Sequence, residues 1–275
     1  MAKTTSDSGG GCINIILQSY EERDTARNAE LEISLKMNLD NPYVKFVYDL
    51  TDKPRAIFGA NAKYKVVPEN KWLTYQRAFD FANTIPGEYF AIINSDITLD
   101  SSSKWDMAVK IFLDNRYVLA QSRHEYDIKS GESIMDPGFV PMFHAHTQDA
   151  WLFKSPIAIP NCNFEIGLLG CDNAIAHRIN SAGYNIINKP QQFKILHHDS
   201  ARGKTSANYM QKHSENPAKI INQHPEEEGY YLLPNYDVIS HMSLDDMAKL
   251  LGFNPTDRYK LICSMMTQKI KIKNR

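Results

Sequence analysis

Short groups of polar residues in this sequence contain side chains that could do chemistry. The first is Asn94-Ser95-Asp96, which follows the apolar stretch 89–93. An acid at the carboxyl end of a strand lies where open α/β sheets bind their ligands. Carboxylate oxygens are also the ligands that Mg²⁺ and Mn²⁺ prefer. Asp96 is therefore a candidate for binding a metal or a sugar hydroxyl, and the alternative is that it only caps a following helix.

Asp172 follows Gly170-Cys171 at the predicted start of a helix. The helix macrodipole stabilises an anion at this position. We therefore expect the pKa of Asp172 to be lowered, which would make it a weak general base unless burial opposes the effect. The alternative is an N-cap acid with no chemical role.

Two further groups flank apolar segments. Asp149 precedes a short apolar run that contains Trp151, whose ring could stack on a sugar, although a Trp at this spacing is more often a core residue. His197 and His198 end a late strand-like segment. Adjacent residues of a strand point to opposite faces, so at most one histidine can enter a site directly. A single histidine is also often only a structural hydrogen-bonding residue.

The elements around these groups indicate an α/β fold. Strand-like and helix-like segments alternate for about 200 residues, as expected of a mixed, mostly parallel central sheet flanked by helices. The run 89–94 is the most apolar, and we expect it in the middle of the sheet with both faces buried. The predicted strands are 13–18, 44–50, 64–67, 89–94, 118–122, 150–153, 184–187 and 193–196, and the predicted helices are 25–39, 73–83, 172–182 and 243–251.

Composition disfavours a nucleic-acid partner and a membrane span. The 275 residues include 31 Lys and Arg against 32 Asp and Glu, whereas proteins that bind nucleic acids by counterion release are usually more basic. No apolar run approaches the roughly 18 residues that cross a bilayer. Residues 1–11 lack the apolar core of a signal peptide, and the four cysteines form no CxxC pair. We expect a cytoplasmic protein with reduced thiols.

Taken in order, these groups resemble the pattern of GT-A glycosyltransferases, which use nucleotide sugars. The stretch 92–97 resembles the strand that ends in their metal-binding DxD motif, reduced here to one aspartate. The stretch 164–184 resembles their acidic helix-start motif with its Gly-Tyr end, and His197 or His198 resembles their metal-ligand histidine. The pattern is also similar to a group of small GT-A-like proteins of viruses and bacteria. The resemblance covers about 12–202, leaving 1–11 as a flexible lead-in and 203–275 as a partly helical extension.

The resemblance implies a hexosyltransferase-type enzyme. It would move a sugar from a nucleotide-diphosphate sugar to a hydroxyl of a glycan or small acceptor, with Mn²⁺ or Mg²⁺ as cofactor. The implied roles are nucleoside binding for Gln18, Ser19 and Tyr20; nucleotide or phosphate binding for Asn94, Ser95 and Arg202; metal binding for Asp96, His198 and His197; base or orienting group for Asp172 and Asp149; and acceptor stacking for Trp151.

Two departures from the family pattern leave alternatives open. Cys171 stands where many inverting members have Glu, so the stereochemistry is open, and Asn94 stands at the first DxD position, which predicts weak metal binding without nucleotide. Sugar-1-phosphate nucleotidyltransferases share the α/β frame, but the acidic, glycine-free loop 18–22 would serve a triphosphate poorly. The third possibility is a catalytically inactive relative that binds a glycan or nucleotide sugar.

Overall fold

The computed structural model of this chain describes residues 11–134, 148–168 and 171–199, together with the backbone of two short strands, Tyr230–Tyr231 and Met242–Ser243. The predicted lead-in up to residue 10, Arg202, and the predicted helix 243–251 beyond its first residue lie outside the described residues. None of the described helices combines the length and apolar character needed to cross a bilayer.

Strands and helices alternate through most of the described chain. They are β1 (Ile13–Leu17), α1 (Thr25–Asp40), β2 (Val44–Leu50), β3 (Tyr64–Val67), α2 (Tyr75–Asn83), β4 (Tyr89–Ile93), β5 (Ile97–Leu99), α3 (Trp105–Ile111), β6 (Tyr117–Asp127), β7 (Glu132–Ile134), β8 (Gln148–Lys154), α4 (Cys171–Ser181), β9 (Asn185–Ile187) and β10 (Ile195–His197).

These ten strands form one mixed sheet in the order β3-β2-β1-β4-β8-β6-β10-β5, with β7 and β9 also paired to β6. Five of the nine strand pairings are parallel, namely β1 with β2, β1 with β4, β2 with β3, β6 with β9 and β6 with β10. β8 runs antiparallel between β4 and β6. This topology confirms the predicted α/β class with a mixed, mostly parallel sheet.

Helices cover both faces of the sheet because each buries an apolar side against it. Leu35 of α1 and Trp105 of α3 belong to the core on one face, and Phe79 of α2 and Ile175 of α4 belong to the core on the other. Along β4, alternate side chains enter the two cores, and the strand is central as predicted. β1, β4, β6 and β10 all run in the same direction, because β8 is antiparallel to both β4 and β6. The carboxyl ends of these four strands therefore face the same edge of the sheet.

The chain after β4 does not form the helix that the capping alternative for Asp96 requires. β4 ends at Ile93, a turn follows, and the chain enters β5, which pairs antiparallel with β10. Asp96 therefore lies in a turn between two strands and caps no helix; the next helix begins at Trp105. Three residues are too few to show a strand period in the sequence. They are held extended by pairing with β10 and by hydrogen bonds between their backbone and the side chains of Asn38 and Asn41.

Candidate active site

A cluster of charged side chains lies at the carboxyl edge of the sheet. It is built from the turn after β4, the second half of β6, the first residues of β8, the end of β10 and the first turns of α1 and α4. Open α/β sheets bind ligands at this edge. The predicted residues Asn94, Asp96, Asp149 and Asp172 all lie there, together with His197.

Arg27 binds the carboxylate of Asp96. Its guanidinium contacts Asp96 and the backbone carbonyl of His198, and its Nη1 atom lies 3.1 Å from Glu30 and 3.4 Å from Asp199. The side chain is only 4% exposed. It begins on the first turn of α1, where the carboxylate of Asp24 caps the helix. A buried cation therefore connects the turn after β4 to the end of β10.

His197 lies between two carboxylates. Its Nδ1 atom is 2.8 Å from Glu125, and its Nε2 atom is 3.5 Å from Asp96. Burial and the charge of Arg123 oppose protonation of His197, but the two carboxylates outweigh them and raise its pKa to about 9. Although burial opposes the shift, the hydrogen bond and charge of His197 lower the pKa of Glu125 to about 2. Because the pKa of His197 lies above 7, its ring is a cation at neutral pH.

We expect the stability of the fold to fall at alkaline pH because of His197. Its pKa is raised from about 6.5 in an unfolded chain to about 9 in the folded one. The resulting stabilisation, on the order of 3 kcal/mol, is fully present below about pH 6.5 and is lost as the pH rises through about 9. Urea unfolding of the native chain and of His197→Gln at pH 6 to 10 measures it. A difference between the two proteins that does not change with pH would contradict this assignment.

His198 faces away from Asp96. Its Nε2 atom is 2.9 Å from the hydroxyl of Thr98, and its ring packs edge-on against Tyr126. Burial, followed by the charge of His197, lowers the pKa of His198 to about 4, so its ring is neutral at neutral pH. The two histidines therefore have different partners, and His197 is the one that turns toward Asp96.

As placed, the predicted ligands Asp96, His197 and His198 do not fit a divalent metal. The ring nitrogens of His197 face Glu125 and Asp96, the ring of His198 points toward Thr98, and Asp96 already binds Arg27. Within the part of the chain that the structure describes, no three His, Cys, Asp or Glu side chains are grouped in a way that could hold a metal ion.

Asp149 and Asp172 form a second group, centred on Arg123. The carboxylate of Asp149 accepts hydrogen bonds from Asn94 at 2.7 Å and from Arg123 at 2.9 Å. Arg123 also donates to Glu125 at 2.8 Å, which joins this group to His197. Both oxygens of Asp149 are therefore held in place.

The pKa of Asp172 is shifted in the direction opposite to the one predicted. Burial, followed by the charge of Asp149, raises it well above its ordinary range, so desolvation and like charge outweigh the helix macrodipole. Among the described residues, the Cys171 thiol donates a hydrogen bond to the Asp172 carboxylate, with a sulfur–oxygen distance of 3.5 Å. Cys171 itself is buried, and burial raises the pKa of its thiol, which makes it a poor nucleophile.

The predicted nucleoside residues lie at the end of β1. The Gln18 side chain donates to the carbonyl of Lys71 and accepts from the Leu73 N–H, both at 2.8 Å. The Ser19 N–H donates to Asp49 at 2.7 Å. Gln18 therefore connects the end of β1 to the loop before α2, and Ser19 connects it to β2. The ring of Tyr20 lies 6.0 Å from the ring of Trp72, which is 50% exposed. These two rings offer an apolar surface at the edge of the sheet.

Trp151 is a core residue, which corrects its predicted place under an acceptor sugar. It is 1% exposed and packs edge-to-face against Tyr75 inside the helix-covered core. An aromatic ring with both faces covered has no surface left for a sugar. Ser95 lies in the turn after β4, and Arg202 lies outside the described residues.

Four members of these groups were not found by sequence reasoning: Arg27, Trp72, Arg123 and Glu125. One signal was available for Arg27, because a basic residue in the first turn of a helix opposes the macrodipole and such local conflicts often mark functional positions. Arg123 and Glu125 are two residues apart on β6 and so share a face, but the predicted strand stopped at residue 122. Trp72 precedes α2 and carried no periodic signal.

Fold and site together define an α/β protein with a charged cluster at the ligand-binding edge of its sheet. No family model and no curated protein matches the chain. Among solved structures it is similar to S. aureus TarS 1–349 in complex with UDP-GlcNAc, at 13% identity and a TM-score of 0.33, over 52% of this chain and 45% of that one. The chain thus spans less than half of that structure.

Two further solved structures show a similar level of likeness. Another structure of S. aureus TarS 1–349 matches at 12% identity and a TM-score of 0.45, over 95% of this chain and 75% of that one. A 4-diphosphocytidyl-2C-methyl-D-erythritol synthase matches at 12% identity and a TM-score of 0.36, over 65% of this chain and 88% of that one. Such values assign no activity, and the fold class rests on the sheet topology given above.

Proposed function

We propose that this chain is a GT-A-type glycosyltransferase that moves a sugar from a nucleotide-diphosphate sugar to a hydroxyl of a glycan or small acceptor. The observation that carries the proposal is the pair formed by Asp149 and Asp172 at the carboxyl edge of the sheet. One acid is fixed by hydrogen bonds, and the other has a raised pKa. Two carboxyl groups whose surroundings differ in this way are typical of acid–base chemistry.

Asp172 is the better candidate for the base that takes the proton of the acceptor hydroxyl. A general base works best when its pKa lies close to the working pH, and the raised pKa of Asp172 moves it in that direction. Asp149 has both oxygens engaged. We therefore assign Asp149 a positioning role, in which it orients Asn94 and Arg123 and raises the pKa of Asp172.

The departing nucleoside diphosphate needs positive charge near its phosphates. Arg123 binds Asp149 of the acid pair, and His197 is joined to Arg123 through Glu125. We assign them to stabilise the negative charge that develops as the sugar–phosphate bond breaks. The predicted phosphate contact of Arg202 stays a prediction, as does membership of the viral and bacterial group.

The nucleobase would stack on the aromatic surface formed by Tyr20 and Trp72. Stacking of a base on an aromatic side chain contributes about 1–3 kcal/mol. We expect Trp72→Ala to raise the Kd for the nucleoside diphosphate of the donor about 5- to 100-fold. Calorimetry with UDP and GDP measures this change. Met107→Ala, at an exposed apolar residue of α3, is the matched control and should leave the Kd unchanged; equal values for both variants would place the nucleobase elsewhere.

A ligand screen followed by a turnover assay tests the proposed function. UDP-, GDP-, TDP- and CMP-sugars are compared by thermal shift, because a ligand that binds only the folded chain raises its melting temperature. We expect a UDP-, GDP- or TDP-sugar to stabilise the chain and to release its nucleoside diphosphate when an acceptor is added; stabilisation by a CMP-sugar alone, which would release CMP, would contradict a diphosphate donor. Pyrophosphate release from a nucleoside triphosphate and a sugar-1-phosphate would instead indicate a nucleotidyltransferase. Binding without turnover of any acceptor would indicate an inactive relative.

A further inference from the structure

We infer that Arg27 is a built-in cation at Asp96, occupying the position where a divalent metal would have to bind. Any metal shared by Asp96 and the end of β10 must lie between the turn after β4 and residues 197–199. The Arg27 guanidinium lies there, in contact with the Asp96 carboxylate, the His198 carbonyl and the Asp199 carboxylate.

Two side-chain nitrogen atoms already lie close to one oxygen of Asp96. Arg27 Nη2 and His197 Nε2 both approach the Oδ2 atom of this carboxylate. A metal ion needs its oxygen ligands at about 2.0–2.6 Å. It could reach this oxygen only by displacing Arg27.

The structure also opposes departure of Arg27. The side chain is almost fully buried and starts from a helix turn that the carboxylate of Asp24 caps through the Arg27 N–H. Glu30, one helical turn further on, accepts from Nη1 at 3.1 Å. Removing the guanidinium would take the counter-charge away from three acids at once, namely Glu30, Asp96 and Asp199, and breaking buried ion pairs in this way is strongly unfavourable.

The consequence for ligand binding is that this chain binds a nucleoside diphosphate without a divalent metal. This second part rests on the proposed function, whereas the position of Arg27 at Asp96 does not. The charge of the diphosphate would be met by a protein cation, for which Arg123, with a side chain that is 29% exposed, lies at the same edge of the sheet.

A titration with Mn²⁺ alone tests the role of Arg27. Free Mn²⁺ is measured by electron paramagnetic resonance with the full chain, Arg27→Met, Arg27→Lys and the control Lys36→Ala, which removes an exposed cation from the same helix. We expect no saturable Mn²⁺ binding to the native chain, Arg27→Lys or Lys36→Ala. Arg27→Met should bind Mn²⁺ at least about tenfold more tightly than the upper limit that the titration sets for the native chain, because three carboxylates lose the guanidinium as their partner. One Mn²⁺ bound per native chain at micromolar concentrations would overturn the inference.

Circular dichroism shows whether Arg27→Met folds. If it does not, the native chain and Arg27→Lys still decide the result, because saturable binding of Mn²⁺ to either one contradicts the inference.

A second titration separates this inference from the proposed function. The Kd of the native chain for UDP and for GDP is measured by calorimetry in EDTA and in Mn²⁺. We expect the nucleotide that binds to do so with a Kd equal within about twofold in the two buffers. Binding that requires Mn²⁺ would overturn the inference and retain the glycosyltransferase. If neither of these nucleotides nor TDP binds in either buffer, the proposed function is overturned, and the Mn²⁺ titration then decides the role of Arg27.

Discussion

Asp172→Asn is expected to lower kcat for sugar transfer about 10²- to 10⁴-fold, with donor binding unchanged. The amide keeps the size of the side chain but cannot accept the proton of the acceptor hydroxyl. In the native chain, kcat should rise with pH as Asp172 loses its proton, because burial and the charge of Asp149 raise its pKa. The measurement is steady-state transfer over a range of pH, with the donor and acceptor identified by the screen described above.

Asp106→Asn is the matched control for this experiment. Asp106 is also an acid in the first turn of a helix, but it lies on α3, away from the charged cluster. We expect it to keep the native kcat and pH profile. If Asp172→Asn keeps them as well, Asp172 is not the base. A loss in Asp149→Asn alone, with an unchanged pH dependence of the residual rate, would indicate that Asp149 acts by holding Arg123 and Asn94.

Trp151→Ala should lower the free energy of unfolding by about 3–5 kcal/mol. The ring is almost fully buried against Tyr75 in the core between the sheet and α2, so its removal leaves a cavity that the neighbours cannot fill. Urea unfolding followed by circular dichroism gives the value. Trp72→Ala removes the same side chain from an exposed position with one hydrogen bond, to the Ile166 carbonyl, and should cost about 1 kcal/mol or less.

The two tryptophans also separate a core role from a binding role. If Trp151→Ala destabilised the fold no more than Trp72→Ala but raised the KM for the acceptor, Trp151 would be a binding residue after all. A large loss of stability with an unchanged KM at a temperature where the variant is folded would confirm its place in the core.

Most of the fold could be predicted from local patterns. The bounds of β2 and β3 agree with the prediction, and α1 differs by one residue at its end, because apolar periodicity and the Asn41-Pro42 stop act within a few residues of the elements that they define. β5 could not be found, since its three residues are held extended by partners distant in the chain: β10, about a hundred positions later, and the side chains of Asn38 and Asn41, about 60 positions earlier. α3, with seven residues, is similarly short and depends on Trp105 packing into the core.

The candidate site was predicted only in part for a related reason. Asp96 follows β4, Asp149 lies at the start of β8 and His197 ends β10, and these strand ends share one edge, so the proximity of the three side chains is a consequence of the topology. Arg27 lies 69 residues before Asp96, and no local pattern connects the two. The direction of the pKa shift of Asp172 depends on burial and on Asp149, which the helix-start position alone does not reveal.

β6 links the two ion pairs of the site, Arg123 with Asp149 and Glu125 with His197, so that mutations in this strand affect both pairs. This strand of 11 residues pairs with β7, β8, β9 and β10, and it carries both Arg123, which holds Asp149, and Glu125, which holds His197. Slipping β6 by one residue would turn both side chains to the other face. A one-residue insertion within β6 would therefore remove both ion pairs together, whereas loops grafted beyond its ends could alter ligand choice while the two pairs persist. For engineering, β6 is the segment to leave untouched.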